Sequence, residues 1–330
     1  MTGSAPDTPT ISVAIAAYNA EKWIAETLDS ILGQTLPAYE IVVVDDGSTD
    51  RTLAVLDAYR DRIRLFGQEN AGVSAALNRC FAEATGDYVA LCGADDLWEP
   101  QKLEWQAESL AAHPEIGVAF GHARMFGIIE REFARPDGTG ILDGDELALR
   151  LYEGNMIAAP SAVIRRSLHA ELGGFREDLA GEDYEFWLNA LRHGAVFHYE
   201  PRRILLYRRH GENMSMPGAL RDDRLRPLLE MNCVVHREYA DLVSARTARR
   251  ILARDHCDLG RFLAEAGTPK DARTALHASL RTRPSLRAVI WLVLLRLGPS
   301  RRERVVDAIV AAQRAAHGAA ARVRVAVSGR

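Results

Sequence analysis

The chain has 330 residues, 48% of them apolar, a formal net charge of −4 and four cysteines. That length accommodates about two domains, and the composition excludes a disordered, fibrous or disulfide-scaffold class. Cys80, Cys92, Cys233 and Cys257 follow no CxxC spacing, which argues against a zinc site and fits a reducing, cytoplasmic compartment. The charge is uneven. Residues 1–200 carry 15 Lys and Arg against 33 Asp and Glu, a balance of −18, while residues 201–330 carry 26 against 12, a balance of +14. The basic part suits an anionic partner such as a membrane surface, or Arg-rich helices that solvate themselves; no nucleic-acid partner is expected. Met1 to Thr10 has neither a basic n-region nor an apolar h-region and reads as a tail rather than a signal peptide. The longest strongly apolar run, Ala288 to Leu295, is far short of the roughly 20 residues that span a bilayer.

Strand and helix signals alternate over the first 120 residues. Ile11 to Ala16 is a β-rich apolar run, and Asn19 can cap a helix from about Ala20 to Leu32. Ile41 to Val44 is a second strand, and Ser48 or Thr49 can cap the next helix, with Leu53, Leu56 and Tyr59 at helical spacing. Ile63 to Phe66 is a third strand. Asn70 opens a helix with Val73, Leu77, Cys80 and Phe81 on one face. Tyr88 to Cys92 is a fourth strand, Pro100 suits the first turn of a helix reaching about Ala112, and Gly117 to Gly121 is one more strand. This alternation predicts a mostly parallel sheet covered on both faces. Met125 to Gly140 and Gly173-Gly174-Phe175 read as loops. Glu182 to Leu191 reads as a helix, and Val196 to Tyr199 and Ile204 to Arg208 as two short strands. Beyond about Met216 only helical signals remain, broken near Gly267-Thr268-Pro269, Pro284 and Gly298-Pro299. The expected organisation is a tail at 1–10, an α/β domain at 11–215 and a helical region at 216–330.

The chemistry concentrates where strands end. Val42-Val43-Val44 runs into Asp45-Asp46-Gly47-Ser48, and Tyr88 to Cys92 runs into Gly93-Ala94-Asp95-Asp96. Open α/β sheets bind ligands at the carboxyl ends of their strands, so the two acidic pairs can converge on one crevice. Such a crevice suits a divalent cation and a phosphorylated ligand, because hard cations take oxygen ligands and bridge to phosphate. The turn after the first strand, Ala16 to Ala20, has no Gly-x-Gly-x-x-Gly and no lysine-bearing phosphate loop. It offers Tyr18 as a stacking face and Asn19 as an amide, which suit a nucleobase.

The ordered set of motifs resembles the inverting family 2 glycosyltransferases, whose nucleotide-diphospho-sugar transferase fold is called GT-A. The resemblance rests on Ala17 to Glu21, Leu28 to Thr35, Ile41 to Thr52, Asn70 to Asn78 and Gly93 to Pro100. It continues through Gly173-Gly174-Phe175, Glu182 to Trp187 and Tyr207-Arg208-Arg209-His210, covering about residues 10–215. It implies a Rossmann-like GT-A domain followed by the helical region, and transfer of a sugar from a nucleotide-sugar, of the UDP type, to an acceptor hydroxyl. By the same resemblance Ala17, Tyr18, Asn19, Asp46, Asn70, Gly72, Asp95 and Arg208 contact the donor. Asp95, Asp96 and His210 hold a divalent metal, Mn2+ or Mg2+, and Asp183 is the catalytic base. The family setting implies a glycan or lipid-linked acceptor in bacterial surface or extracellular polysaccharide assembly, with the protein peripheral at the inner membrane face. Two positions depart from the pattern: Gly93 stands where many members have Asp, and Leu77 where many have Arg.

Two rival readings are weaker. A non-catalytic binding protein that kept the fold is favoured only by Gly93, and Asp95, Asp96 and Asp183 argue against it. A sugar nucleotidyltransferase would carry a Gly-rich basic loop after the first strand, which Ala16 to Ala20 lacks.

Overall fold

The computed structural model describes residues 8–133, 136, 138–211, 213, 225–297, 301, 304, 305 and 308. The expected boundary near 215, residues 1–7 of the expected tail and the break at Gly298-Pro299 lie outside them. The described residues form two compact units.

The larger unit takes in the chain up to 217 and residues 234–248. Its elements are β1 (Ile11–Ala17), α1 (Ile24–Leu32), β2 (Glu40–Asp45), α2 (Thr52–Asp57), β3 (Arg64–Gly67), α3 (Val73–Glu83), β4 (Tyr88–Gly93), β5 (Leu97–Trp98) and α4 (Lys102–Ala112). These are followed by β6 (Ile116–Gly127), β7 (Arg131–Glu132), β8 (Gly140–Ile141), α5 (Gly144–Glu153), β9 (Val163–Arg165), α6 (Arg166–Glu171), α7 (Glu182–Arg192) and β10 (Val196–Arg209). One sheet runs in the order β3-β2-β1-β4-β9-β6-β10-β5, with β7 and β8 paired to β6 and β10. It is parallel across β3-β2-β1-β4 and between β6 and β10. The short β9 lies antiparallel between β4 and β6. Val42, Val43 and Val44 are fully buried, as an uninterrupted apolar run demands when helices cover both faces.

The fold differs from expectation at several elements. Asn19 does not cap a helix: it sits at φ +50°, its amide oxygen accepts from Thr49 N at 2.8 Å, and α1 begins only at Ile24. Ser48 is likewise occupied, its Oγ accepting from Asn19 N, and Asp50 instead serves Thr52 N at the start of α2. The two late strands are one 14-residue strand, β10, with register shifts around Glu200 and Arg203 against β6. Helix α5 lies between the two expected loops, in a stretch to which the sequence reading assigned no element. Its N-cap Asp143 accepts from Glu146 N at 2.9 Å, a local signal of helix start.

The smaller unit takes residues 218–233 and 249–330. Among its described residues lie most of α8 (Leu225–Glu238) and α9 (Ala245–Glu265), with α10 (Pro269–Thr282) and α11 (Leu286–Leu294). They pack Phe262, Leu263, Leu276, Ala288, Trp291 and Leu294 into a separate apolar core. All four cysteines are buried.

Candidate active site

Asp95 and Asp96 follow β4, and their two carboxylates face different ways. Asp95 Oδ2 lies 2.8 Å from His210 Nε2 and accepts from Asn213 Nδ2 at 2.9 Å. Both partners come from the segment after β10, more than a hundred positions along the chain. Arg208, near the end of β10, completes the closure. Its Nε donates to the Asp95 carbonyl at 2.7 Å, its Nη2 to Glu26 at 2.5 Å, and its guanidinium lies 4.6 Å from the ring centres of both Trp23 and Phe126. His210 stacks with Trp23, their ring centres 5.4 Å apart. The structure thus brings together Asp95, Arg208 and His210. It adds Trp23, Glu26 and Asn213, which sequence reasoning missed. Asn213 alone could have been suspected, from its place three residues after His210.

Asp96, expected as a metal ligand, turns its carboxyl the other way. Its side chain is fully buried, and Oδ1 accepts from Arg208 N at 2.8 Å. Burial and the neighbouring Asp95 charge push its carboxyl well above the usual range. It therefore ties β10 to the β4 loop from inside. Gly93 explains the arrangement. A Cβ there would lie 2.6 Å from Asp96 Oδ2 and 3.0 Å from Asp95 Oδ1. The space that a side chain at 93 would need is filled by the Asp96 carboxylate.

The loop holding these carboxylates is braced from α1. Gln34 Nε2 donates to the Glu99 carbonyl, its Oε1 accepts from Leu103 N, and Thr35 N donates to the Pro100 carbonyl. Thr27 Oγ1 donates to the Asp96 carbonyl. These bonds give the Leu28 to Thr35 motif its physical meaning.

At β1 and β2, the loops are stitched to one another. Asn19 and Ser48–Thr49 exchange bonds, Ala20 N donates to Thr52 Oγ1, and Glu21 N donates to Asp50 Oδ2. Tyr18 is left 51% exposed beside them, and Ala17 closes the end of β1. Asp46 is almost fully buried. Its carboxylate accepts from Gln68 Nε2, Ala71 N and Gly72 N at 2.8–2.9 Å. Those bonds shape the loop at Asn70 and Gly72 that starts α3, so the described contacts of Asp46 are to that loop.

Asp183 heads α7, where the helix N-terminus favours anions; Gly181 before it is left-handed at φ +77°. Its Oδ2 accepts from Asn155 Nδ2 at 2.8 Å and its Oδ1 from its neighbour Tyr184 N. Burial raises its carboxyl above the usual value, against the pull of those donors. Burial and the Asp183 charge push Glu182 up to about 7. Pro160 and Ser161, five and six positions after Asn155, are hydrogen-bonded to β5 and α4. Trp98 Nε1 donates to the Pro160 carbonyl and Gln106 Nε2 to the Ser161 carbonyl. The fully buried Lys102 donates to Gln106 at 2.6 Å and lies 4.2 Å from the Trp98 ring centre. No sequence signal marked Asn155.

The Gly173-Gly174-Phe175 loop is held by Asn78. Asn78, on α3, accepts from Phe175 N at 2.8 Å and donates to the Phe175 carbonyl at 2.9 Å. Gly174 has φ +80°, and a Cβ there would meet Asn78 Oδ1 at 2.7 Å, so only glycine fits.

The donor set partly fits a divalent cation. Asp95 supplies a hard carboxylate oxygen and His210 an imidazole, both on one side of the β4 loop. Among the described residues no three His, Cys, Asp or Glu side chains are grouped to enclose an ion. A cation here would take its remaining ligands from a bound phosphate and water, the habit of Mg2+ and Mn2+ at phosphate-transfer sites.

Residues 12–173 match the family described as Glycosyl transferase family 2. The chain is 31% identical over 207 residues to EpsE of Bacillus subtilis (strain 168), a protein named as a glycosyltransferase; the match covers 56% of this chain and 68% of that one. A Haemophilus influenzae protein named an uncharacterized glycosyltransferase is 31% identical over 220 residues, covering 63% of this chain and 68% of its own. Among solved structures, S. aureus TarS residues 1–349 in complex with UDP-GlcNAc has a TM-score of 0.62 at 20% identity, covering 87% of this chain and 86% of that one. The mannosyltransferase PcManGT from Pyrobaculum calidifontis, in complex with GDP-Man and Mn2+, has a TM-score of 0.51 at 21% identity, covering 93% and 89%. At that identity the structural likeness speaks to the fold.

Proposed function

We propose that this chain, which belongs to glycosyl transferase family 2, moves a glycosyl group from a nucleotide-sugar to an acceptor hydroxyl with inversion at the anomeric carbon. The observation that carries the reading is the closure of the end of β10 and the residues after it onto the loop that follows β4, which gathers Asp95, Arg208, His210 and Asn213. The structural neighbour bound to UDP-GlcNAc favours a UDP-sugar as donor. Tyr18 offers its exposed ring to the base. Asp95 and His210 would hold a divalent cation, which when bound offsets negative charge on the donor diphosphate; the neighbour bound to GDP-Man and Mn2+ supports that assignment.

Asp183 then serves as general base. Its carboxylate takes the proton of the acceptor hydroxyl, the acceptor oxygen forms the new bond to the anomeric carbon, and the bond from that carbon to the diphosphate oxygen breaks with its electron pair. A single displacement needs one base and no covalent intermediate. Asn155 and the Tyr184 N–H hold the carboxylate in place. The raised pKa of Asp183 makes it a stronger base than an exposed aspartate, with the acceptor's proton as its target. The acceptor we propose is a glycan or lipid-linked glycan of bacterial surface or extracellular polysaccharide, met in the cytoplasm.

The test is single-turnover transfer by Asp183→Asn, with donor binding measured in parallel. Turnover is expected to fall by roughly a hundredfold or more, the scale of a lost general base, with donor affinity almost unchanged. Full-rate transfer by the variant would overturn the mechanism.

A further inference from the structure

Helix α11 presents an apolar face with nothing from the described residues over it. All of its nine residues but Arg287 are apolar. Ala288, Trp291 and Leu294 point into the core of the smaller unit. Leu286, Val289, Ile290 and Val293 point outward, and are 76%, 44%, 41% and 55% exposed. Their spacing of i, i+3, i+4 and i+7 places them on one stripe. The other exposed large apolar side chains are spread over several elements, from Tyr18 to Val305. A contiguous stripe of this kind marks an interaction site rather than ordinary surface.

The surrounding charge selects the partner. Between Ala272 and Leu297 the sequence holds five arginines, at 273, 281, 283, 287 and 296, and no Asp or Glu. Arg281, Arg283, Arg287 and Arg296 are exposed. By the helical turn of about 100° per residue, Arg287 and Arg296 flank opposite sides of the stripe. Of these four, Arg287 pairs with Asp258 at 2.8 Å. An apolar centre edged by cations suits the boundary between anionic headgroups and acyl chains. A second copy docking on the same stripe would set arginine against arginine, which opposes self-association. Nucleic acid would meet an apolar surface where it needs cations. No helix among the described residues is long and apolar enough to cross a membrane.

We infer that the α11 face is a docking surface for anionic lipid, with Leu286, Val289, Ile290 and Val293 entering the interface and the arginines engaging headgroups. The inference does not depend on the transfer reaction, because its readout is vesicle binding. The full chain is mixed with vesicles of 30% phosphatidylglycerol and 70% phosphatidylcholine, or of phosphatidylcholine alone, and separated by flotation. Binding is expected on the anionic vesicles only, weakening as salt rises. Ile290→Glu/Val293→Glu is expected to lower binding at least tenfold, and Arg283→Gln/Arg296→Gln to lower it severalfold. Both variants change exposed positions, and both should keep the wild-type melting temperature and affinity for UDP. Three results would overturn the inference: no wild-type binding, equal binding to neutral vesicles, or undiminished binding by the Glu variant. A concentration-dependent dimer that the Glu variant abolishes, without any lipid effect, would assign the face to a second copy instead.

Discussion

Replacing Glu182 with Gln isolates the electrostatics at the head of α7. Burial and the adjacent Asp183 push Glu182 from 4.5 up to about 7. An acid raised that far carries a cost when ionised of roughly 3 kcal/mol, at about 1.4 kcal/mol per pH unit. Gln removes the charge but keeps a partly buried polar group, so the recoverable part is about 1–3 kcal/mol. Because folding raises this pKa, the native state holds the proton more tightly than the unfolded chain. The wild type is free of the penalty below about pH 4.5 and loses stability as pH rises through about 7. Glu182→Gln should therefore melt higher than wild type at pH 8, by about 2–4 °C for each kcal/mol in a unit of this size. At pH 5 the difference should shrink towards zero. Because Glu182 is still protonated where Asp183 ionises, the acidic limb of the turnover profile should stay where it is. Thermal unfolding at pH 5 and 8, together with a pH–rate profile, checks both effects. A variant that melts no higher than wild type at pH 8, or a gain that is the same at both pH values, would refute the reasoning.

Asp95→Ala should abolish metal-dependent binding of a nucleoside diphosphate while the fold survives; calorimetric titration of UDP with Mn2+ measures it, and unchanged affinity would count against the assignment. Gly93→Asp should not restore a carboxylate to the site, because its Cβ would fall 2.6 Å from the buried Asp96 carboxylate. A loss of roughly 2 kcal/mol or more is expected from overpacking and like charge, visible as a lower melting temperature, and Gly93→Asp/Asp96→Gly should recover much of it. Asn78→Ala strands the Phe175 N–H and carbonyl, at a cost of about 1–3 kcal/mol. Denaturant unfolding reads that loss.

The acidic strand ends were legible in the sequence because a parallel strand covered on both faces is an unbroken apolar run, and its end is marked by the first residues that cannot be buried cheaply. That placed Asp45–Asp46 and Asp95–Asp96 at the sheet's carboxyl edge. It also located α7, whose aromatic face is a local periodic signal. Helix α5 escaped notice although its N-cap Asp143 and the helical spacing of Leu147 and Leu151 were available, because Gly138, Gly140 and Gly144 outweighed them. The two short late strands were read apart because Pro201 and the charges around it break the apolar pattern. In the sheet that stretch is a bulge in one continuous strand.

What the sequence alone determined is the class of fold, the family and the strand ends at which chemistry gathers, since those follow from periodicity and local residue type. Only the tertiary structure decided which carboxylate faces which way. Asp95 turns towards His210 and Asn213, which lie 115 and 118 positions later in the chain. Asp96 turns inward because the Arg208 N–H meets it there and Gly93 leaves it room. The pairing of Asp183 with Asn155, 28 positions earlier, and the latch of Asn78 on Phe175, 97 positions later, are of the same kind. No local pattern encodes them, because a hydrogen bond between distant segments is specified by where the sheet brings its strands and not by the residues flanking either partner.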